Sequence, residues 1–180
     1  MKVVPARAGV IFRDRKWELG AMAGYASSLS APRGDNPGVS FSPILVSVGC
    51  PITDIHGTGS FQGDLEIVIE PALLAMTAPA RSPAEGVSLL LRYNFVAKGP
   101  WVPFFDIGMG VLNWSIELPD VLVTKFNFTL QAGPGLRYFP ATNLALVGQL
   151  RFHHISNGGR DRPNVGVNSV VALVGVSRFF

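Results

Sequence analysis

Apolar and polar residues alternate along most of this sequence, in segments of about ten or more residues. A period of two fits an extended strand with two unlike faces and excludes a helix, whose apolar stripe recurs every three to four residues. Residues 17–26 place Trp17, Leu19, Ala21, Ala23 and Tyr25 on one face, against Glu18, Gly20, Met22 and Gly24. Residues 61–73, 88–96, 103–113 and 126–138 repeat the pattern, for example Phe126, Phe128, Leu130 and Ala132 against Asn127, Thr129 and Gln131. Segments 143–156 and 168–180 continue it. Segment 39–49 is less regular, because Ile44, Leu45 and Val46 are apolar on both faces. The count is eight strands in one domain spanning residues 1–180.

The connections alternate in length. Those after the second, fourth and sixth strands (50–60, 97–102 and 139–142) include two tight, proline-bearing turns. Those after the first, third, fifth and seventh (27–38, 74–87, 114–125 and 157–167) run to a dozen residues or so. Short turns at one end and longer loops at the other are the pattern of an outer-membrane barrel. A soluble barrel of the lipocalin kind would invert the polarity, with an apolar lumen and a polar exterior. A β-sandwich would also alternate.

Charge separates these alternatives. One strand face collects Glu18, Asp64, Glu66, Glu70, Arg92, Asp106, Arg137 and Arg151, while the other is nearly free of charge, Arg178 excepted. A charged group at the bilayer midplane on the lipid face costs about 2–4 kcal/mol, so the charged face must be the lumen. The sequence is therefore read as an all-β, eight-stranded antiparallel up-and-down transmembrane barrel. At its end, Phe180 suits an interfacial aromatic girdle beside a snorkelling Arg178.

Composition closes other routes. Only 15% of residues are charged, against roughly 25% in soluble domains. At 48% hydrophobic the chain is not disordered, and with Cys50 as its single cysteine it is no disulfide scaffold. The longest charge-free stretch, 36–53, is broken by Pro37, Pro43 and Pro51 and cannot be a spanning helix. A net charge of +3 without a Lys/Arg run indicates no nucleic-acid partner. The opening MKVVPARAGVIF has too short an apolar core for a signal peptide. An exported chain is thus expected to be the mature form or to have a misplaced start.

One segment breaks the clean outer face. In 144–156 the outward parity reads Leu144, Leu146, Gly148, Leu150, Phe152, His154, Ser156. Outward parity on the last strand, set by Phe180, includes Asn168, which falls beside His154 near the same rim. Residues i and i+2 share a strand face roughly 6.5–7 Å apart, so an imidazole can lean toward a hydroxyl two positions on. A serine nucleophile needs such a base, and the base needs a third group to hold its tautomer, a part Asn168 can play. The Asn157-Gly158-Gly159 backbone offers N–H groups for an oxyanion. If the seventh strand runs outward, this rim meets the outer leaflet, where an ester bond of lipid A is the substrate at hand.

Each residue also has a plainer reading. An outward His-x-Ser at a barrel rim is often an interfacial polar pair. His153 is expected as a lumenal hydrogen-bonding residue, His56 as solvated and Cys50 as an inert small hydrophobe. Three scattered histidines and one cysteine make no metal site. Arg160 and Arg162 are either solvated or meet lipid A phosphates.

The run Arg151-Phe152-His153-His154-Ile155-Ser156-Asn157-Gly158-Gly159, followed by Arg162-Pro163-Asn164-Val165-Gly166-Val167-Asn168-Ser169, resembles the signature of the PagL-type lipid A 3-O-deacylases, also known as acyloxyacyl hydrolases. Residues 60–71, 89–104 and 126–135 fit the same family. The resemblance implies an outer-membrane serine esterase that hydrolyses the ester-linked 3-O-acyl chain of lipid A. It makes Ser156 the nucleophile and His154 the general base, with the Gly158 N–H and the Asn164 side chain forming the oxyanion hole. No cofactor is implied. The expected partners are lipopolysaccharide and outer-membrane lipids, with a homodimer left open. The best-known member has a glutamate where this chain has Asn168, which predicts slower turnover or a changed pH dependence. Asp161 ranks behind Asn168 as third member. The rival reading is a catalytically silent barrel with a structural or lipopolysaccharide-binding role.

Overall fold

The computed structural model describes residues 15–30, 36–96, 99–118 and 121–180; the opening segment read above for export signals lies outside them. Eight strands follow in chain order: β1 (Glu18–Ser28), β2 (Ser40–Pro51), β3 (Gly63–Ala78), β4 (Ser82–Phe95), β5 (Trp101–Trp114), β6 (Phe126–Ala141), β7 (Leu144–Ser156) and β8 (Val167–Phe179). Each pairs antiparallel with its sequence neighbours, and β8 returns to β1 from Glu18↔Phe179 to Ser28↔Ser169, closing the barrel. Closure leaves no sheet edge and satisfies the backbone within the wall, as a membrane span requires.

The alternation places every strand, including β2. There Ile44 and Val46 face outward while Leu45 is buried in the lumen, so a run apolar on both faces is still one strand in register. Two boundaries differ from the sequence reading. The expected loop 74–87 is strand except for residues 79–81, and β3 and β4 pair as far as Met76↔Ser82. Its backbone finds ladder partners in the hairpin, and its side chains keep the inside–outside alternation. Glu85 accordingly points outward, level with Leu73 and Asn113. Phe61, expected on the third strand, sits instead in a 3-10 turn (Gly59–Phe61) and is 77% exposed.

The middle of the outer wall is apolar, with Val174 70% exposed and Leu73, Ile44 and Leu89 more than half exposed; Glu85 and Asn113 toward the upper rim and Arg178 at the other end are outward polar exceptions. A continuous apolar belt on this scale belongs in lipid. The strand ends joined by the β1–β2, β3–β4, β5–β6 and β7–β8 connections lie at one rim, called upper here. Near the other rim Trp17 stacks on Phe180 with ring centroids 4.1 Å apart, Trp101 packs on Tyr138 at 4.6 Å, and the Arg178 guanidinium lies 5.3 Å from the Phe180 ring.

The lumen has two zones, whereas the sequence reading made it polar throughout. Its lower half holds the ionic network. Arg92 grips Asp106 through two bonds of 2.7 and 2.9 Å, and Arg137 reaches Glu18 at 2.5 Å and Asn94 at 2.5 Å. Arg151 pairs with Glu70 at 2.6 Å and with Gln131 and Gln149 at 2.8 Å each. Arg15, just before β1, closes on Asp64 at 2.8 Å. Desolvating so many charges is tolerable only because each meets an opposite charge and further hydrogen bonds. The upper half is a hydrophobic core of Met22, Phe41, Leu45, Leu74, Met76, Leu112, Trp114, Ile155 and Val171. Leu118 and Leu122 from the 115–125 loop cap it. That core is the rigid floor under the upper-rim loops.

Candidate active site

The upper ends of β6, β7 and β8 bring the sequence-selected residues together on the outer face. His154 stands directly opposite Asn168 across the β7–β8 ladder, and its Nδ1–H donates to the Asn168 carboxamide oxygen at 2.7 Å. This bond fixes one tautomer and leaves Nε2 as the basic nitrogen. Ser156 follows two positions on, opposite Phe128 of β6, and is half-buried. No hydrogen bond joins its hydroxyl to His154; the two share one strand face at the i, i+2 spacing.

Gly166 sets the far side of the imidazole. Its φ of +76° is a left-handed conformation that suits glycine. A Cβ placed there would stand 3.0 Å from Cε1 of His154, closer than the ring can accept without moving.

The loop 157–166 is built around Asn157, which is fully buried. Its side-chain oxygen accepts the Gly159 N–H at 2.9 Å, and its Nδ2 donates to the Asp161 carbonyl at 3.0 Å. Its own N–H donates to the Asn164 side-chain oxygen at 3.1 Å. With that oxygen engaged, Asn164 presents its NH2 as the remaining donor. Gly158 is exposed at φ +69°, and its N–H has no partner among the described residues. Two N–H groups near the serine are thus free to meet a developing oxyanion.

Other sequence-selected residues go elsewhere. The Asp161 carboxylate accepts the Arg162 N–H at 2.8 Å, within its own loop, and does not reach His154. The Arg162 side chain is exposed and makes no hydrogen bond or ion pair with another described residue. Arg160 is committed: Nε donates to the Asn157 carbonyl at 2.9 Å, and Nη2 donates to the Phe126 carbonyl. His153 is buried in the lumen, edge-on to Phe41 with 5.8 Å between centroids; its Nδ1 makes no hydrogen bond, which departs from the role expected of it. His56 is exposed and bonded through Nδ1 to the Asp54 carbonyl at 3.1 Å. Cys50 is the next-to-last residue of β2 and faces outward, its thiol 3.6 Å from the Lys16 carbonyl. Among the described residues no three His, Cys, Asp or Glu side chains gather as metal ligands.

One contribution was missed from sequence. Leu122 bridges Asn164, and the Val165 N–H donates to the Val121 carbonyl at 3.0 Å. The segment around Val121 and Leu122 therefore braces the 157–166 loop. The apolar run Val121-Leu122-Val123 inside an expected solvent loop was the available signal.

The sequence model of the lipid A 3-O-deacylase (PagL) family matches residues 56–177, which includes β3 through nearly all of β8 and the whole cluster just described. The chain belongs to the PagL family. Among solved structures, the crystal structure of the outer membrane enzyme PagL superposes with a TM-score of 0.61 at 18% identity, covering 88% of this chain and 97% of that one. Neisserial surface protein A matches with a TM-score of 0.68, also at 18% identity, over 91% of this chain and 97% of that one. The N-terminal barrel domain of Pseudomonas aeruginosa OprF gives 0.56 at 14% identity, covering 93% and 100%. At these identities the structural likenesses speak for the barrel, and the family match carries the deacylase relationship. No curated protein matches the sequence.

Proposed function

We propose that this PagL-family barrel sits in the bacterial outer membrane and hydrolyses the ester-linked 3-O-acyl chain of lipid A in the outer leaflet. The observation that carries the reading is the 2.7 Å His154–Asn168 bond beside Ser156 on an outward-facing rim.

In this mechanism the lipid A ester settles against the upper rim, its acyl chain along the apolar wall. His154 Nε2 takes the proton from the Ser156 hydroxyl as the oxygen attacks the ester carbonyl. Asn168 holds the imidazole through Nδ1 while the ring is cationic. The Gly158 N–H and Asn164 Nδ2 meet the tetrahedral oxyanion; one such donor is worth roughly 2.7–4 kcal/mol of barrier. His154 then returns the proton to the 3-hydroxyl leaving group, and water, deprotonated by the same nitrogen, releases the fatty acid from Ser156. Arg162, extended from the loop, reaches toward the headgroup phosphates.

Mass spectrometry of lipid A from cells expressing the chain in the outer membrane tests this. Loss of one 3-hydroxyacyl group with wild type, and none with Ser156→Ala at equal amounts of folded barrel, supports the reading. Equal lipid A in both refutes it and leaves the silent barrel.

A further inference from the structure

We propose that Arg160 is a positioning residue for the oxyanion-side loop and not a ligand of lipid A phosphate. The proposal rests on the Ser156–His154 reading above. The guanidinium makes two hydrogen bonds, both to protein: Nε donates to the carbonyl of Asn157, and Nη2 to the carbonyl of Phe126. Its face lies 5.1 Å from the ring centroids of both Phe126 and Phe128. Asn157 is the residue between the nucleophile and Gly158, while Phe126 opens β6 and Phe128 stands opposite Ser156. One side chain thus ties the loop that carries Gly158 and Asn164 to the strand beside the serine.

The neighbouring packing has the same sense. A Cβ on Gly158 would lie 3.2 Å from the Phe128 ring. Phe128 therefore bounds Gly158 on one side, and Arg160 holds Asn157 from the other. The two rings that cradle the guanidinium are themselves edge-to-face, 5.7 Å apart. A planar fork bonded to two carbonyls and resting on two rings is fixed by the protein in place and orientation, as a structural tie is; its Nη1 end keeps N–H donors, and a phosphate-free substrate separates the two roles. Lysine, a point charge without the fork, would keep attraction for an anion but lose this geometry.

The test uses a substrate without phosphate, p-nitrophenyl decanoate in detergent micelles, beside lipid A. Arg160→Lys is expected to lower kcat for both substrates by about 10- to 100-fold, as small misplacements of catalytic groups do, with KM nearly unchanged. Phe126→Leu, which keeps the arginine and removes one supporting ring, is expected to lower kcat on both substrates to a lesser degree. It also carries the test if Arg160→Lys does not fold, with folding read from heat-dependent gel mobility. Unchanged kcat on the phosphate-free ester, with a raised KM for lipid A alone, would make Arg160 a phosphate ligand and overturn the proposal. Ester hydrolysis that persists in Ser156→Ala would refute the catalytic reading itself, and the positioning role with it.

Discussion

Replacing Asn168 by aspartate changes the third member of the triad by one atom and one charge. Asp is isosteric with Asn, so an oxygen stays 2.7 Å from Nδ1 of His154 without moving either strand. The neutral bond is worth about 0.5–1.5 kcal/mol, and a bond to a charged partner about 1.5–3 kcal/mol. The gain of about 1–1.5 kcal/mol is realised chiefly when the ring becomes cationic in the transition state. At 1.36 kcal/mol per tenfold in rate, kcat should rise roughly 5- to 12-fold. Asn168→Ala, which removes the bond, should lower kcat by a few-fold to about tenfold on the same scale. Initial rates on lipid A in micelles, at saturating substrate across a pH series, provide the check. Indistinguishable kcat in wild type, Asn168→Asp and Asn168→Ala would show that the bond does not support catalysis, and the triad argument would fail.

Other expectations concern the barrel and the loop. Arg137→Leu should destabilise the barrel by about 3–5 kcal/mol, the usual result of stranding a buried partner, because Glu18 loses its 2.5 Å ion pair; urea titration of tryptophan fluorescence in lipid vesicles measures it. Gly166→Ala should leave the barrel folded but lower kcat tenfold or more, since it adds about 1–2 kcal/mol of left-handed strain and presses on the His154 ring 3.0 Å away. Wild-type turnover in that variant would show that the ring does not depend on Gly166.

How far the sequence reached depended on the range of the signal. A period of two is local: each strand's parity is fixed by its own residues, so all eight strands, the lumenal charges and the outward His154, Ser156 and Asn168 were legible from it. Even the His154–Asn168 partnership was legible, because both are outward residues at the same rim of neighbouring antiparallel strands, where a one-residue slip would turn one of them inward. The third hairpin was misread because Pro79, Pro83 and Gly86 look like loop residues, whereas the β3–β4 ladder runs through Pro83 and Gly86 to Met76↔Ser82 and leaves only 79–81 as the turn.

What depended on closure was invisible. Which acid meets which arginine across the lumen, as in Glu18 with Arg137, joins residues 119 positions apart, and no local pattern encodes that distance. The apolar upper core likewise emerged only when inward residues of strands remote in sequence were brought together. The same holds for the loop around Asn157 and for Arg160. In sequence Arg160 is one more exposed cation, and only the approach of Phe126 and Phe128 adds a second carbonyl and two rings to the local contact with the Asn157 carbonyl. Parity is a property of a single strand and can be read from its residues; partnership across a closed barrel is a property of the whole wall and exists only once the wall has closed.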